Sequence, residues 1–360
     1  MSTIGIAIIG SGHIAIANHV PGFGHVPDAR VVVLCDSDPA VLERARKQTG
    51  VEITCTDYRQ AIARDEVHAV VIATPNHLHA PIALAAIAAG KHVLCEKPIA
   101  MNLEEATRML QAAEAAGVRH MTAFTYRFIP AIRYMEHLIR GGDIGRPYHF
   151  RASRFQDWRS RNLGWRQIRA MAGTGETGDM LSHRIDYGHM LVGRIVRLVA
   201  HTMQFVRERD GAVSDLEDWV GMLTDFANGA TGVLESTKLA TGRGEGPHSP
   251  DTCEVNGAEG TLMYRAEKPL EVLVGRKGGA MPEAVAVPEE FLKHPASKRN
   301  PHEGDPRITF RYDQTAEFID AIREGRPCRP SFAEGVAAQA VIDAAMTSER
   351  ERRWVDVPQV

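Results

Sequence analysis

Gly10-Ser11-Gly12-His13-Ile14-Ala15 follows an apolar run and opens a helical pattern, a GxGxxA spacing suited to a dinucleotide pyrophosphate. The first glycine permits the tight turn, the second lets a phosphate approach the backbone, and Ala15 allows close helix–strand packing. The helix N-terminus attracts the phosphates. Asp36 ends the second predicted strand, where its carboxylate can accept hydrogen bonds from adenosine ribose hydroxyls. A ribose 2′-phosphate would meet this carboxylate followed by Ser37 and Asp38, with no arginine next to them, so NAD fits better than NADP. The contacts expected here are Gly10, Ser11, Gly12, His13, Ile14, Asp36 and Ser37. The plainer alternative is a Gly-rich turn in an unrelated α/β domain.

Thr74-Pro75-Asn76-His77-Leu78-His79 and Glu96-Lys97-Pro98 both lie just beyond predicted strand ends. In an open parallel sheet, ligands bind outside those ends. Lys97 there can hydrogen-bond a substrate hydroxyl and the nicotinamide ribose, and can support proton movement. Its alternative is a surface salt bridge with Glu96. His77 and His79 have HxH spacing without a third ligand at metal spacing, so a capping or cofactor-contact role is preferred and no metal is expected.

Gly173-Thr174-Gly175-Glu176-Thr177-Gly178-Asp179 runs on through His183 to Asp186. On a helix, Asp179, His183 and Asp186 share one face at i, i+4 and i+7. A carboxylate one turn before a histidine can orient the ring and tune its protonation, as a general base at a hydroxyl requires. A structural Asp–His pair at a helix start is the alternative.

The elements that must position these residues alternate strand and helix over the first 125 residues. Apolar runs at 4–9, 31–35, 69–73, 92–95 and 119–124 read as strands. Asp38-Pro39 starts a helix that runs to Gly50, an Ala-rich helix over 80–89 stops at Gly90, and the capping box at Asn102 opens one that closes at Gly117. Strands apolar on both faces mean a doubly wound parallel sheet, the Rossmann arrangement. After Tyr126 a helix over 131–140 gives way to strands at 148–155, 220–226, 230–238, 254–257, 261–264 and 270–274, joined by tight Gly turns. Such a run predicts a second α/β domain, 126–360, with an open, largely antiparallel sheet. Residues 276–312 read as a long surface excursion, before two helices at 313–323 and 333–350 that are expected to pack back on the first domain.

Charged residues make up 24% with a formal net charge of -3, so nucleic acid is not an expected partner. No apolar stretch approaches ~18 residues, and the N-terminus runs straight into a strand, which predicts no membrane and a cytoplasmic protein. Five cysteines without CxxC spacing (Cys35, Cys55, Cys95, Cys253 and Cys328) fit a reducing compartment.

At these residues the chain resembles the Gfo/Idh/MocA family of glucose–fructose oxidoreductase, inositol 2-dehydrogenase and related rhizopine-catabolism proteins. The resemblance spans essentially the whole chain. It rests on the GxGxxA turn, TPNxxH, AGKHVLCEKP, Tyr126-Arg127, Trp165-Arg166, GxxxGDxxxHxIDxxxxL, and the segment from Arg326 to Ser331. It implies a Rossmann domain followed by a domain whose open sheet forms a homo-oligomer interface, in a dimer or tetramer. It also implies catalysis by Lys97, Asp179 and His183. The implied cofactor pocket includes Thr74, Pro75, Asn76, His79, Glu96, Lys97, Arg127, Trp165 and Arg166.

The reading that follows is a dehydrogenase of a secondary hydroxyl on a sugar or cyclic polyol, within carbohydrate metabolism. His183 would be the base, Lys97 would bind the reacting oxygen, and Asp179 would fix neighbouring hydroxyls. An NAD-dependent glycoside hydrolase, working by transient oxidation, elimination and re-reduction, uses the same residues. A non-catalytic NAD-dependent sensor would not need the Lys97, Asp179 and His183 set. Arginines interleaved with aromatics at 151–169 suggest an anionic or densely polar substituent on the substrate, with Tyr126, Arg154, Trp158, Arg159 and Arg161 as further substrate contacts.

Overall fold

A computed structural model describes residues 3–159 and 161–360. The strands Ile4–Ile9 (β1), Ala29–Cys35 (β2), Ile53–Cys55 (β3), Ala69–Ile72 (β4), His92–Cys95 (β5) and His120–Thr122 (β6) pair in parallel, in the order β3-β2-β1-β4-β5-β6. The order reverses between β1 and β4, the switch point where doubly wound sheets bind ligands. Every residue of β4 is wholly buried, as a strand covered on both faces must be. Asp38 accepts the Ala40 N–H at 2.8 Å to cap helix Pro39–Thr49. Asn102 caps Leu103–Ala116 through the Glu105 N–H, and Gly50 and Gly117 end the two helices in the left-handed region.

The chain falls into two units. The first holds Met1–Thr125 together with Lys293–Glu303 and Thr309–Val336, and the second holds Tyr126–Leu292, Gly304–Ile308 and Ala337–Val360. The second unit is therefore not one continuous stretch, and the surface excursion expected at 276–312 needs correction. Part of it is strand Glu283–Ala286, and Lys293–Glu303 is drawn into the first unit by charge. Arg299 and Asp313, both almost wholly buried, form two hydrogen bonds of 2.8 Å. His25 stacks on Tyr312 beside them, with centroids 5.4 Å apart, and its carbonyl accepts the Lys298 N–H. A buried guanidinium needs such a partner, and Asp313 supplies it at the start of helix Asp313–Glu324.

In the second unit the strands are Pro147–Phe155 (β7), Ile195–Met203 (β8), Glu208–Arg209 (β9), Ala212–Val213 (β10), Trp219–Phe226 (β11), Thr231–Thr237 (β12), Asp251–Gly257 (β13), Gly260–Arg265 (β14), Glu271–Arg276 (β15), Glu283–Ala286 (β16) and Val355–Asp356 (β17). All but β9 and β10, which pair with each other, form one sheet in the order β16-β15-β14-β13-β7-β12-β11-β8-β17. Within this sheet, among the described residues, only the β7–β12 pairing is parallel. β8 was not anticipated, because Val196-Arg197-Leu198 breaks the simple alternation of its sequence. Helix Ser182–Leu191 packs on β7, β12 and β13, so closely that a Cβ at Gly188 would lie 3.3 Å from the Phe150 and Phe226 rings.

Candidate active site

In the first unit the GxGxxA turn is built as its chemistry requires. Gly10 has φ +90°, and a Cβ there would come within 2.5 Å of the Ala73 backbone. A Cβ at Gly12 would meet nothing within 4 Å, which leaves the open approach a pyrophosphate needs. Ser11 is buried, its hydroxyl donating to the Cys35 carbonyl and its N–H to Asp36 Oδ2 at 2.9 Å. The other Asp36 oxygen accepts the Asp38 N–H at 3.0 Å, so the carboxylate is fixed at the end of β2. Ser37 and His13 are exposed, and Ile14 is half-buried at the start of its helix. These residues fit a dinucleotide: an open cradle, a helix start and a fixed carboxylate.

Beyond β4 and β5, Thr74 and Pro75 are half-buried and Asn76 is buried. His79, expected in a capping or cofactor-contact role, holds two backbone carbonyls. Its ring is wholly buried, with Nδ1 2.9 Å from the Pro98 carbonyl and Nε2 3.0 Å from the Thr74 carbonyl. It ties the two strand-end loops together. Burial lowers its pKa in spite of those two carbonyls and Glu96.

Glu96 is held by a residue that sequence reading missed. His19, wholly buried in the π-helical turn Ala15–His19, lies 2.9 Å from Glu96 Oε1. Oε2 accepts the backbone N–H of Lys97 at 3.3 Å. Burial opposes ionisation of Glu96, but the His19 hydrogen bond and the charges of His19, Lys97 and His79 hold its carboxyl below the usual range. No spacing rule links His19 to Glu96; only the strand order brings them together.

In the second unit, the expected continuous helix through Asp179 and His183 is corrected to a π-helical turn, Thr177–Leu181, followed by helix Ser182–Leu191. Such a turn shifts every later residue around the axis, and is frequent at functional sites. Asp186, in the regular helix after that turn, accepts from Arg127 Nε and Nη2 at 2.7 and 2.6 Å. His183 is 4% exposed, and its ring stacks on Tyr126 with centroids 4.3 Å apart. The guanidinium of Arg184, itself ion-paired to Asp251, lies 5.2 Å from the same Tyr126 ring. Asp179 is half-buried.

Of the arginines expected to read the substrate, one is engaged inside the protein and two are exposed. Arg154 is 2% exposed, and donates to the carbonyls of Ser249 and Gly246 and to Gln156 Oε1, so it braces the 246–251 loop instead. Arg159 is exposed with φ +50° and lies 3.5 Å from Asp157; Arg161 pairs with Glu245 at 3.0 Å while lying over the Trp158 ring. Arg166 lies over the ring of its own neighbour, Trp165. A residue not singled out from sequence, Gln156, is 1% exposed. Its Nε2 and the Trp158 Nε1 are buried donors without a hydrogen-bond acceptor among the described residues.

Residues 4–124 match the family described as "Oxidoreductase family, NAD-binding Rossmann fold", and residues 132–263 match the "GFO/IDH/MocA C-terminal domain". Levoglucosan dehydrogenase of Pseudarthrobacter phenanthrenivorans is 33% identical over 397 aligned residues, covering 100% of both chains. The chain belongs to the Gfo/Idh/MocA oxidoreductase family. Another member, inositol 2-dehydrogenase of Rhizobium meliloti, is 26% identical over 99% of both chains. A solved family structure, "Levoglucosan dehydrogenase, complex with NADH and levoglucosan", superposes with a TM-score of 0.92 at 32% identity, covering 99% of this chain and 100% of that one. As a member of this family the chain is an oxidoreductase built for a nicotinamide cofactor.

Proposed function

We propose that this enzyme oxidises a secondary hydroxyl of a neutral cyclic sugar or polyol, using NAD in preference to NADP. The observation that carries the reading is His183, buried, stacked on Tyr126, and one helical turn beyond Asp179. In this reading His183 accepts the hydroxyl proton, and Lys97 donates a hydrogen bond to the same oxygen. Asp179 accepts from a neighbouring hydroxyl and stabilises the imidazolium that forms. Gly10, Ser11, Gly12, Asp36 and Glu96 hold the cofactor. When bound, the nicotinamide supplies the acceptor for the hydride leaving the carbinol carbon.

The preference for NAD is supported by Asp36, whose carboxylate is anchored by two backbone N–H groups with exposed Ser37 and Asp38 beside it. A neutral substrate is supported by the engagement of buried Arg154 with acceptors of the protein itself. Self-association through the second sheet belongs to the same proposal, supported by Met203, Trp219 and Leu223 on its outer face. Light scattering measures it. No helix among the described residues is long and apolar enough to cross a membrane. A cytoplasmic site is proposed from the five cysteines, all free thiols.

The test is a panel of hexoses, anhydrosugars and inositols with purified protein and NAD, following NADH absorbance and free-sugar release together. NADH formation in proportion to substrate consumed is expected. Sugar release from a glycoside with no net NADH would instead assign an oxidoreductive glycosidase.

A further inference from the structure

Behind Asp179 lies a second carboxyl with no part in the reaction described above. Glu176 is wholly buried, and its Oε1 accepts a hydrogen bond from the equally buried Ser236 hydroxyl on β12. Its Oε2 lies 3.7 Å from Nζ of Lys238, a lysine 2% exposed at the end of the same strand. The loop carrying Glu176 is locked in place. Glu217 Oε1 accepts the N–H groups of Gly175 and Thr177 at 2.8 and 3.1 Å, and the Glu217 carbonyl accepts that of Glu176. A Cβ at Gly175 would lie 2.2 Å from that carbonyl, so only glycine permits this approach. The Asp179 N–H then donates to the Gly175 carbonyl at 3.0 Å, which joins the pair to the π-helical turn.

A buried Glu–Lys pair costs desolvation that an apolar pair would not, so it is poor evidence for a purely stabilising role. We propose that Glu176, balanced by Lys238, is a positioning residue whose charge tunes the proton affinity of the Asp179–His183 pair. The inference rests on the reading of His183 as the base.

Charged groups reach Glu176 from every element around it. These are Asp179 on its own segment, Lys238 from β12, Arg184 with its partner Asp251 from the following helix and β13, and Glu217 ahead of β11. Burial dominates and pushes the Glu176 carboxyl up to about 7, with Lys238 opposing, Asp179 reinforcing, and Ser236 and Arg184 opposing. Its charge therefore changes near neutrality. An ionised Glu176 favours a proton on His183; a neutral one weakens that preference.

Infrared difference spectra of the wild-type protein, titrated from pH 5 to 9, read the carboxyl directly. A protonated-carboxyl band should disappear near neutrality, be missing from E176Q, and titrate at higher pH in K238M, where the counter-charge is gone. In the kcat/KM profile for alcohol oxidation, E176Q should move the acidic limb down by about half to one unit, the size expected for one nearby charge. A purely structural Glu176 would lower kcat or thermal stability and leave the limb in place. If no carboxyl band titrating near neutrality is removed by the glutamine, or if the limb does not move, the proposal is overturned. Should E176Q not fold, the wild-type and K238M spectra decide it: a band that ignores K238M overturns it. Failure of the His183 reading is a separate result, seen as retained turnover in H183A.

Discussion

The imidazole of His183 and the phenol ring of Tyr126 lie face to face, 4.3 Å apart and 20° from parallel. A ring so held has one plane in which to present its nitrogens, which a base acting on an oriented hydroxyl requires. Tyr126→Leu removes the stack, worth about 0.5–1.5 kcal/mol, and kcat is expected to fall about 3- to 10-fold as the imidazole gains freedom. Tyr126→Phe keeps the ring and should keep kcat, with any loss of a hydroxyl contact confined to KM. Equal kcat in the Leu and Phe variants would show that stacking does not orient the base.

Asp36→Ala removes a charged acceptor for the adenosine ribose, and kcat/KM with NAD should drop about 10- to 100-fold. NADP should gain relative to NAD, because the carboxylate that repels its phosphate is gone. The two cofactors, compared at fixed substrate in both proteins, check this. A wild-type enzyme that favours NADP would contradict it.

Acid should destabilise the protein through half-buried histidines whose desolvation disfavours the charged form. Burial, with Arg119 adding and Glu334 opposing, takes His120 from 6.5 down to about 4, and its Nδ1 accepts the Phe332 N–H. The unfolded chain protonates first as pH falls, so stability present above about pH 6.5 is lost down to about pH 4 and levels off below. The loss from His120 alone is on the order of 2–3 kcal/mol. His189, taken to about 3 by burial and by Arg194 and Arg127, adds to it. Urea unfolding at pH 7, 5.5 and 4 should show the decline, shallower in His120→Asn, which keeps an acceptor for Phe332. A variant with the same decline as wild type would remove His120 from this account.

What could be read from sequence was local. The GxGxxA turn, Asp36 and the Asp38 and Asn102 caps depend on neighbours a few residues away, and they sit as expected. Arg299 reads as surface charge until Asp313 is folded against it, and β8 hides behind one misplaced arginine. The π-helical turn leaves no mark in side-chain spacing, yet it moves Asp179 around the axis relative to His183 and Asp186, and the pairing of Asp186 with Arg127 is tertiary. Glu176 and His19 likewise meet Lys238 and Glu96 only through tertiary pairing. Arg154 shows the reverse error: chemistry suited to an anion, spent on carbonyls of its own fold.

The account's central claim is that His183 takes the proton from the substrate alcohol while the dinucleotide is held by other residues. His183→Ala, assayed for NADH formation on the best substrate of the panel and for NAD binding by calorimetry, tests it most directly. Turnover should fall about 10²- to 10⁴-fold, the usual worth of a positioned acid–base group, while the Kd for NAD stays within a few-fold of wild type. Near-wild-type turnover in His183→Ala would contradict the account and assign the base to another residue.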